Sequence, residues 1–588
     1  MKKFLLALVA ASLIVPAANA QRNRRAEPVP RADLRELADQ VSQDSLRSIV
    51  ERLVSYGTRH TLSSRDHPTR GIGAALNWTE AEFHRYARAC NGCLQVIRTG
   101  DTVTGRRIPT PTLVENVVAI QRGTERPNQV VIITGHIDSR VSDVMNATAD
   151  APGANDDGSG TAAVIEAARV LSRHRFPATI VYAALSGEEQ GLHGGKILAD
   201  YARAQGWQVV ANLNNDIIGN SCGSDGVCDD DNVRVFSEGL RWQGGDALRP
   251  LVRSQGGEND SPSRNLSRYL RSLAQDLSLG LDVRQIWRND RFGRGGDHTE
   301  FLNAGFPAVR LSVAVENYNW QHQDVRVENG IEYGDTIDKM DFPYLRRVTQ
   351  LNVAALAALA RAPMPPAPAV EGAVSTDTTL TWEPVEEGAT YIVRWRRTDA
   401  ANWEHSLLVQ SESPNASVTA THPVTEAKSR KSIPGRTTWQ ITLPQIRVDD
   451  WVFGVSSVSA DGYESSVASA VPGGAFRPYA PPPPALGQAA SARPAAIKVR
   501  VSGAEFADCR VWLDNEPVSQ DVVFERAVRT LEEHVDRVGV LNITAETLPT
   551  AEIMIDPDTR YRCLGGVIYN LQRAGITAIG FDHSAVGR

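Results

Sequence analysis

The sequence has 588 residues, a length that predicts about three or four domains. Hydrophobic residues make up 42% and charged residues 22%, a globular composition that excludes a wholly disordered, collagenous or membrane-spanning chain. The formal net charge is −7, which is too close to neutral to attract a polyanion through bulk electrostatics. We therefore expect no nucleic-acid partner.

Residues 1–20 have the pattern of a secretory signal peptide. Two lysines precede an apolar run, and the small residues Ala18 and Ala20 stand just before Gln21. The apolar run is too short to be a comfortable membrane span, and no later run approaches the roughly 18 residues that cross a bilayer. We predict a mature chain without a transmembrane segment, located in the periplasm or outside the cell.

Six cysteines occur as three pairs of neighbours along the chain: Cys90 with Cys93, Cys222 with Cys228, and Cys509 with Cys563. An even number of cysteines in an exported chain favours disulfide bonds, although the sequence leaves their connectivity open. Half of a zinc site or a redox motif is the alternative for Cys90 and Cys93. No second Cys-x-x-Cys completes a zinc site, so we expect a structural role.

Two proline-rich segments, 361–368 and 479–484, divide the chain. Proline at this density can continue neither a helix nor a central strand, and it forms extended spacers. The division predicts three folded modules and one Pro/Ala-rich linker: 32–362, 363–476, the linker 477–494, and 495–588.

The first module alternates strand-like and helix-like segments. Its short, β-branched and nearly continuous apolar runs are typical of strands buried on both faces: 130–134, 179–185, 209–213 and 308–313. Helix-like stretches cover 161–173 and 345–361. This alternation predicts an α/β domain with a mainly parallel sheet sandwiched by helices.

The second and third modules predict different architectures. Segments of the second alternate apolar and polar residues, which predicts an all-β sandwich, and the module resembles a fibronectin type III domain. The third predicts a small α+β domain and resembles the periplasmic domain of ExbD/TolR-type proteins, without their membrane helix. That resemblance implies an envelope or cell-wall partner, and a purely structural appendage is the alternative.

Residues of metal-ligand type follow several predicted strands of the first module. His136 and Asp138 end one strand, Glu188 and Glu189 follow the next, and Asp216 follows a third. Ligands bind outside the carboxyl ends of the strands in an open α/β sheet. We therefore expect these side chains to converge, although they are far apart in sequence.

Asp156, in a glycine-rich turn, and His298, before the strand at 308, extend this series. Two adjacent glutamates after an apolar strand are costly to place without a cation. The series supplies two imidazoles and at least three carboxylates, a mix that holds a pair of zinc-like ions about 3.5–4 Å apart. We expect two zinc ions as cofactors.

The ordered series resembles the di-zinc aminopeptidase family that also includes glutamate carboxypeptidase II, and the likeness covers the α/β module. The resemblance implies that one zinc is held by His136 and Asp216, the other by Glu189 and His298, with Asp156 bridging both. It also implies that Asp138 orients His136 and that Glu188 is the general base for the attacking water.

The series predicts a secreted or periplasmic zinc exopeptidase that hydrolyses N-terminal residues from peptides. A carboxypeptidase or dipeptidase of the same fold, or a catalytically silent envelope-binding protein, is the alternative. A carboxypeptidase needs cations for a terminal carboxylate, and Arg291 and Arg294 are candidates, with a solvated basic loop as the other interpretation. Tyr318 and His322 are candidates for the substrate pocket. Some relatives place a tyrosine before the last histidine ligand, where this chain has Asp297.

Overall fold

In the computed structural model, the described residues are 32–386, 389–409, 431–433, 436–478, 497–503, 509–538, 548–556, 559, 561–576 and 578–582. They belong to two compact units that divide between residues 479 and 480. The predicted signal peptide at 1–20 and most of the predicted linker lie outside the described residues. Within the described part, no helix is both long enough and apolar enough to cross a membrane.

Residues 32–362 form the α/β domain. Its helices are α1 (Ala32–Asp39), α2 (Gln43–Val54), α3 (Ile72–Ala89), α4 (Gly158–Leu171), α5 (His193–Ala204), α6 (Gly245–Gln255), α7 (Pro262–Asp276), α8 (His298–Asn303) and α9 (Phe342–Arg361). Its strands are β1 (Leu94–Gly105), β2 (Ile108–Gln121), β3 (Arg126–His136), β4 (Ala178–Leu185), β5 (Gln208–Asn215), β6 (Asn232–Phe236), β7 (Asp282–Ile286), β8 (Ala308–Val313), β9 (Arg326–Glu328) and β10 (Ile331–Tyr333).

An eight-stranded sheet organises the described part of this domain, in the order β1-β2-β4-β3-β5-β8-β6-β7. The central neighbours β4, β3, β5 and β8 run parallel, and β1 and β2 pair antiparallel at one edge. All four strands predicted from the apolar runs are present. The predicted α/β fold class is confirmed, with antiparallel edges on a parallel centre.

Helices cover both faces of this sheet. Along β3, Val131 and Ile133 share a core with α4 and α9, while Val130 and Ile132 share the opposite core with α5 and α8. Alternate residues of a strand point to opposite faces, so the continuous apolar run of β3 serves both cores. This double burial explains why the central strands lack the polar alternation of a solvated sheet.

Residues 363–478 add β11 (Ala369–Glu371), β12 (Thr378–Trp382), β13 (Thr390–Arg397), β14 (His405–Val409), β15 (Lys431–Ile433), β16 (Arg436–Leu443), β17 (Trp451–Val458) and β18 (Ala468–Ser469). The described strands form two antiparallel sheets, β11-β12-β16-β15 and β14-β13-β17-β18. Trp382 stacks on Trp439 at 6.2 Å between ring centroids, and Tyr391 packs against both rings. The predicted all-β sandwich is confirmed.

The sandwich is docked on the α/β domain through a buried ion pair. Arg396 Nη2 donates to both oxygens of Asp260, at 2.7 and 2.8 Å, and neither side chain is more than 3% exposed. Arg268 Nε donates to the carbonyl oxygen of Ala401 across the same contact. The proline-rich segment after Arg361 therefore joins two parts of one compact unit.

The second unit is the predicted α+β domain. Its described elements are β19 (Ile497–Ser502), β20 (Arg510–Leu513), β21 (Glu516–Val518), α10 (Gln520–Val538), β22 (Ala551–Ile555), α11 (Tyr561–Arg573) and β23 (Ile579–Asp582), and the sheet order is β21-β20-β19-β22-β23. Cys509 and Cys563 are disulfide-bonded here. The other two neighbouring pairs, Cys90–Cys93 and Cys222–Cys228, are also disulfides, so the disulfide prediction is confirmed.

Replacing Asp260 with asparagine should destabilise the docked sandwich strongly. Arg396 and Arg268 would stay buried without their counter-charge, which costs about 3–5 kcal/mol of the free energy of unfolding. Denaturant unfolding of the purified chain measures this loss. Asp399→Asn is the matched control, because Asp399 pairs with Arg397 at the surface, 79% exposed. Similar small effects of both variants would contradict a buried, stabilising pair.

Candidate metal centre

The parallel strands bring their carboxyl ends to one edge of the sheet. His136 is the last residue of β3 and pairs with Leu185, the last residue of β4, so the chain after each strand leaves at the same level. Glu188 and Glu189 follow β4, and Asp216 follows β5, which also pairs with β3. The convergence predicted from strand ends is therefore present.

Two clusters of ligand-type side chains lie at this edge. The first contains His136, Glu188 and Asp216, and the second contains Asp156, Glu189 and His322. Within each cluster one nitrogen or carboxylate oxygen per residue lies within 4.8 Å of the others. Each cluster can therefore hold one metal ion.

The carboxylate of Asp156, a member of the second cluster, also faces the first cluster. Its Oδ1 is 3.2 Å from Nε2 of His136, and its Oδ2 is 2.9 Å from Nε2 of His322. One oxygen thus faces each imidazole.

A buried carboxylate, Asp157, ties the segments that carry these ligands to one another. Its Oδ2 accepts the backbone N–H of His136 at 2.9 Å, and its Oδ1 accepts those of Gly160 at 2.9 Å and Ile217 at 3.2 Å. The Gly160 bond caps the first turn of α4. The end of β3, the start of α4 and the residue after Asp216 therefore share one anchor.

Asp335 anchors the backbone around Asp156 in the same way. Its carboxylate accepts the backbone N–H groups of Asn155, at 3.0 and 2.9 Å, and of Asp156, at 2.7 Å. Burial raises the pKa of Asp335 to about 7, and the nearby Asp156 carboxylate adds to the rise. Asp335 lies in an irregular loop more than 170 residues after its partners. No local sequence pattern marks it.

Asp138, predicted to orient His136, contacts mainly the glutamate turn. Its Oδ2 accepts the Thr61 hydroxyl at 2.9 Å and the Glu189 N–H at 3.2 Å, and its Oδ1 accepts the Glu188 N–H at 3.3 Å. Nδ1 of His136 lies 3.0 Å from the backbone oxygen of Asp138 and 3.6 Å from its carboxylate. Asp138 therefore positions both glutamates, and its backbone oxygen holds the imidazole.

Burial and neighbouring charges shift the pKa values of several groups in the site. Burial raises the pKa of Glu188 well above its usual value, and it raises that of Asp297 to about 7, with neighbouring carboxylates adding to both shifts. Burial lowers the pKa of His136, but the carboxylates around its ring outweigh this and leave the pKa well above its ordinary value. So many carboxylates in one buried place favour the binding of cations.

The donor set fits zinc. Oε1 of the buried Glu189 lies 3.1 Å from Nε2 of His322 and pairs with that imidazole. A buried carboxylate oxygen that faces an imidazole nitrogen offers two donor atoms that one cation can bind. Imidazole nitrogens together with carboxylate oxygens are ligands that zinc takes readily.

His298, predicted as a metal ligand, is not brought to either cluster. It begins α8, and its ring is buried with Nε2 3.0 Å from the Asn289 carbonyl oxygen and 3.8 Å from Asp290. The prediction for His298 is therefore corrected. His322, predicted only as a pocket residue, occupies the place in the second cluster.

The other candidate pocket residues belong to neither cluster. Nη1 of Arg294 is 3.1 Å from Glu316, and Arg291 lies 3.1 Å from Asp290 and 3.6 Å from Glu316. Both arginines are thus directed at carboxylates of this chain. Tyr318 is 61% exposed at the surface.

A small cleft opens next to Asp156. Its wall includes Asn155, Glu316, Trp320, Gln321 and Asp335. Gln321 donates from Nε2 to Oδ2 of Asp156 at 3.1 Å, so its amide reaches the edge of the clusters. A substrate group that enters this cleft would lie directly beside Asp156.

Two solved structures align with part of this chain. The LapA aminopeptidase of Legionella pneumophila aligns over 55% of this chain and 74% of its own, with 20% identity and a TM-score of 0.41. The aminopeptidase from Aneurinibacillus sp. strain AM-1 aligns over 56% and 96%, with 14% identity and a TM-score of 0.39. The identification rests instead on sequence relatives of higher identity.

The sequence relatives are metalloproteases. A probable zinc metalloprotease of Leptosphaeria maculans is 40% identical over 451 residues, which cover 76% of this chain and 98% of the relative. Another, of Pyrenophora tritici-repentis, is 39% identical and covers 76% and 88%. The protein is accordingly a zinc metalloprotease. The model of Peptidase family M28 matches residues 116–354, and the chain belongs to that family.

Replacing Asp335 with alanine should weaken zinc binding by about 10–100-fold, because the backbone that carries Asp156 loses its acceptor. Competition with a chromophoric chelator measures the affinity. Asp338→Ala is the matched control, since that carboxylate lies on the same loop but is 64% exposed and pairs with Lys339. Equal zinc affinity of the two variants would show that Asp335 does not position the ligands.

Proposed function

We propose that the protein is an exported two-zinc exopeptidase that removes N-terminal residues from peptides. The observation that carries the proposal is the Asp156 carboxylate, whose two oxygens face imidazoles of two different clusters. One cluster would hold a zinc through His136 and Asp216, and the other would hold a second zinc through Glu189 and His322. Asp156 would bridge the pair.

Zinc bound in such a site polarises a peptide carbonyl and lowers the pKa of a water molecule towards neutrality. Glu188 is the proposed general base. It belongs to the first cluster and is only partly buried. Its carboxylate would take a proton from the attacking water and then deliver that proton to the leaving amine.

The environment of Glu188 suits both halves of that proton transfer. Burial raises the pKa of Glu188, which makes its protonated form a good acid for the departing amine, and neighbouring zinc would favour its ionised form for the first step. Adjacent Glu189 points to the other cluster. Glu189 can therefore bind metal while its neighbour Glu188 transfers the proton.

The contacts of Arg291 and Arg294 disfavour a clamp for a carboxylate at the end of the substrate. The two arginines are directed at Glu316 and Asp290, which are carboxylates of this chain. Arginines already engaged with carboxylates are poorly placed to clamp a terminal carboxylate. We therefore propose an aminopeptidase.

Export and the roles of the added domains complete the proposal. Three disulfides among the described residues suit an oxidising compartment, in keeping with the signal peptide expected at 1–20. The two sheets of residues 369–469 are compatible with a fibronectin type III-like module. For the C-terminal domain we propose an ExbD/TolR-like module that docks to an envelope partner.

Replacing Glu188 with glutamine should lower kcat by about 10²–10⁴-fold, because glutamine cannot accept the proton of the attacking water. Zinc content should stay at the wild-type value, as determined by elemental analysis. Glu300→Gln, on the nearby helix α8, should retain wild-type kcat. If Glu188→Gln lost zinc in proportion to activity, Glu188 would be a ligand rather than the base.

Blocked dipeptides separate the two kinds of exopeptidase. An aminopeptidase should cleave a dipeptide amide, whose C-terminus is blocked, and should leave an N-acetyl dipeptide intact, because the free α-amine is required for binding. Chromatographic product analysis measures both reactions. The opposite preference would assign the enzyme as a carboxypeptidase, and cleavage of only the unblocked dipeptide would assign it as a dipeptidase.

A further inference from the structure

Thr61 lies in the segment that joins α2 to α3, outside the residues 116–354 that the family model matches. Its side chain is buried, and only 3% of the residue is exposed. Its hydroxyl nevertheless reaches the edge of the sheet that carries the two clusters. A segment that precedes the whole sheet in the chain thus contributes to this edge.

The hydroxyl of Thr61 contacts the carboxylate that holds the glutamate turn. Its Oγ1 donates to Oδ2 of Asp138 at 2.9 Å. The same Oδ2 accepts the N–H of Glu189 at 3.2 Å, and Oδ1 accepts the N–H of Glu188 at 3.3 Å. The orientation of one carboxylate therefore sets the backbone of both glutamates, and Thr61 supports that orientation from the opposite segment.

Asp138 depends on such donors because it is 0% exposed. A buried carboxylate without hydrogen-bond donors loses the solvation that it has in water. If the Thr61 hydroxyl were absent, Oδ2 would keep only the Glu189 N–H. The carboxylate would then move towards other donors, such as Nδ1 of His136 at 3.6 Å, and the glutamate turn would shift with it.

Arg59 fixes the segment of Thr61 to the same part of the domain. Its guanidinium is buried. Its described hydrogen bonds go to four backbone oxygens, those of Ile137 at 2.7 Å, Pro152 at 2.6 Å, Gly153 at 2.8 Å and Leu53 at 3.3 Å. Ile137 stands between His136 and Asp138, so Arg59 joins this segment to the backbone at the end of β3. A hydroxyl on a segment held in this way is a donor in a fixed place.

These contacts leave the imidazole of His136 able to bind metal. In the neutral imidazole that a metal binds, Nδ1 carries the proton, because it faces the backbone oxygen of Asp138 at 3.0 Å and a carbonyl oxygen only accepts. Nε2 then offers its lone pair on the side of Asp156. Thr61 hydrogen-bonds to neither ring nitrogen, so its effect passes through the carboxylate of Asp138.

We propose that Thr61 is a positioning residue for the proposed zinc centre, and that it acts through Asp138 on Glu188 and Glu189. The inference rests on the proposed two-zinc function. Glu189 is a proposed ligand and Glu188 is the proposed base. A shift of their common turn would therefore weaken zinc binding and slow the reaction together, although Thr61 itself is too deeply buried to touch a substrate.

The test compares Thr61→Val, Thr61→Ser and the wild-type full chain. Valine has the shape of threonine without the hydroxyl, whereas serine keeps the hydroxyl. Thr79→Val is the matched control, because its buried hydroxyl donates to the backbone oxygen of Ala75 inside α3, at 2.9 Å. Competition with a chromophoric chelator measures zinc affinity, and steady-state kinetics on a dipeptide amide at saturating zinc measure kcat and KM.

Thr61→Val should bind one of its two zinc ions about 10–100-fold more weakly than the wild type and lose kcat by a similar factor. Its KM should stay at the wild-type value, because Thr61 does not reach the substrate. Thr61→Ser should recover both zinc affinity and kcat, and Thr79→Val should keep them. A loss of packing alone would lower stability without this recovery by serine.

Two results would overturn the inference about Thr61. Wild-type zinc affinity in Thr61→Val would show that the hydroxyl positions no ligand. Equal losses in Thr61→Ser and Thr61→Val would show that the bulk of threonine matters and its hydrogen bond does not. A wild-type chain that binds zinc but leaves the dipeptide amide intact would contradict the proposed function instead, and the zinc affinities would still decide the role of Thr61.

Discussion

One buried carboxylate anchors the backbone at the edge of the sheet where the two clusters of ligand-type side chains lie. Asp157 accepts backbone N–H groups from the end of β3, the first turn of α4 and the residue after Asp216. Backbone N–H groups that leave regular pairing must find acceptors, and a buried one without an acceptor is expensive. Asp157 accepts three such N–H groups at the point where strands end and loops begin. These bonds fix the backbone positions of His136, Asp156 and Asp216 relative to one another.

Around this anchor, the protein concentrates negative charge to a degree that its composition does not reveal. The carboxylates of Asp138, Asp156, Asp157 and Asp216 are all buried, as is that of Glu189, and the arginines Arg140 and Arg310 contact individual members of the group. Such a cluster resists folding unless cations balance it. Under the proposed function, zinc binding and folding of this edge would be linked, since the same side chains would serve both.

Much of this architecture is predictable from sequence because one local pattern recurs: an apolar strand followed by polar residues. Long apolar runs indicate β3, β4, β5 and β8, and the polar residues that follow them indicate the edge of the sheet where the clusters lie. The wrong prediction for His298 shows the limit of this strand-end pattern. His298 and His322 lie on either side of β8, and both follow irregular chain. Only the path of those loops decides which imidazole reaches Asp156, and loop paths depend on contacts such as those of Asp335, which leave no periodic pattern.

The buried Asp260–Arg396 pair also determines how short a stable fragment of this protein can be. Tyr463 of the sandwich packs into the core that lies under α9, next to Arg361. A fragment that ends at the proline-rich segment after Arg361 would expose that core to water. It would also leave Asp260 without its partner Arg396. The family match at 116–354 is thus shorter than the compact unit that contains it, which extends to residue 479.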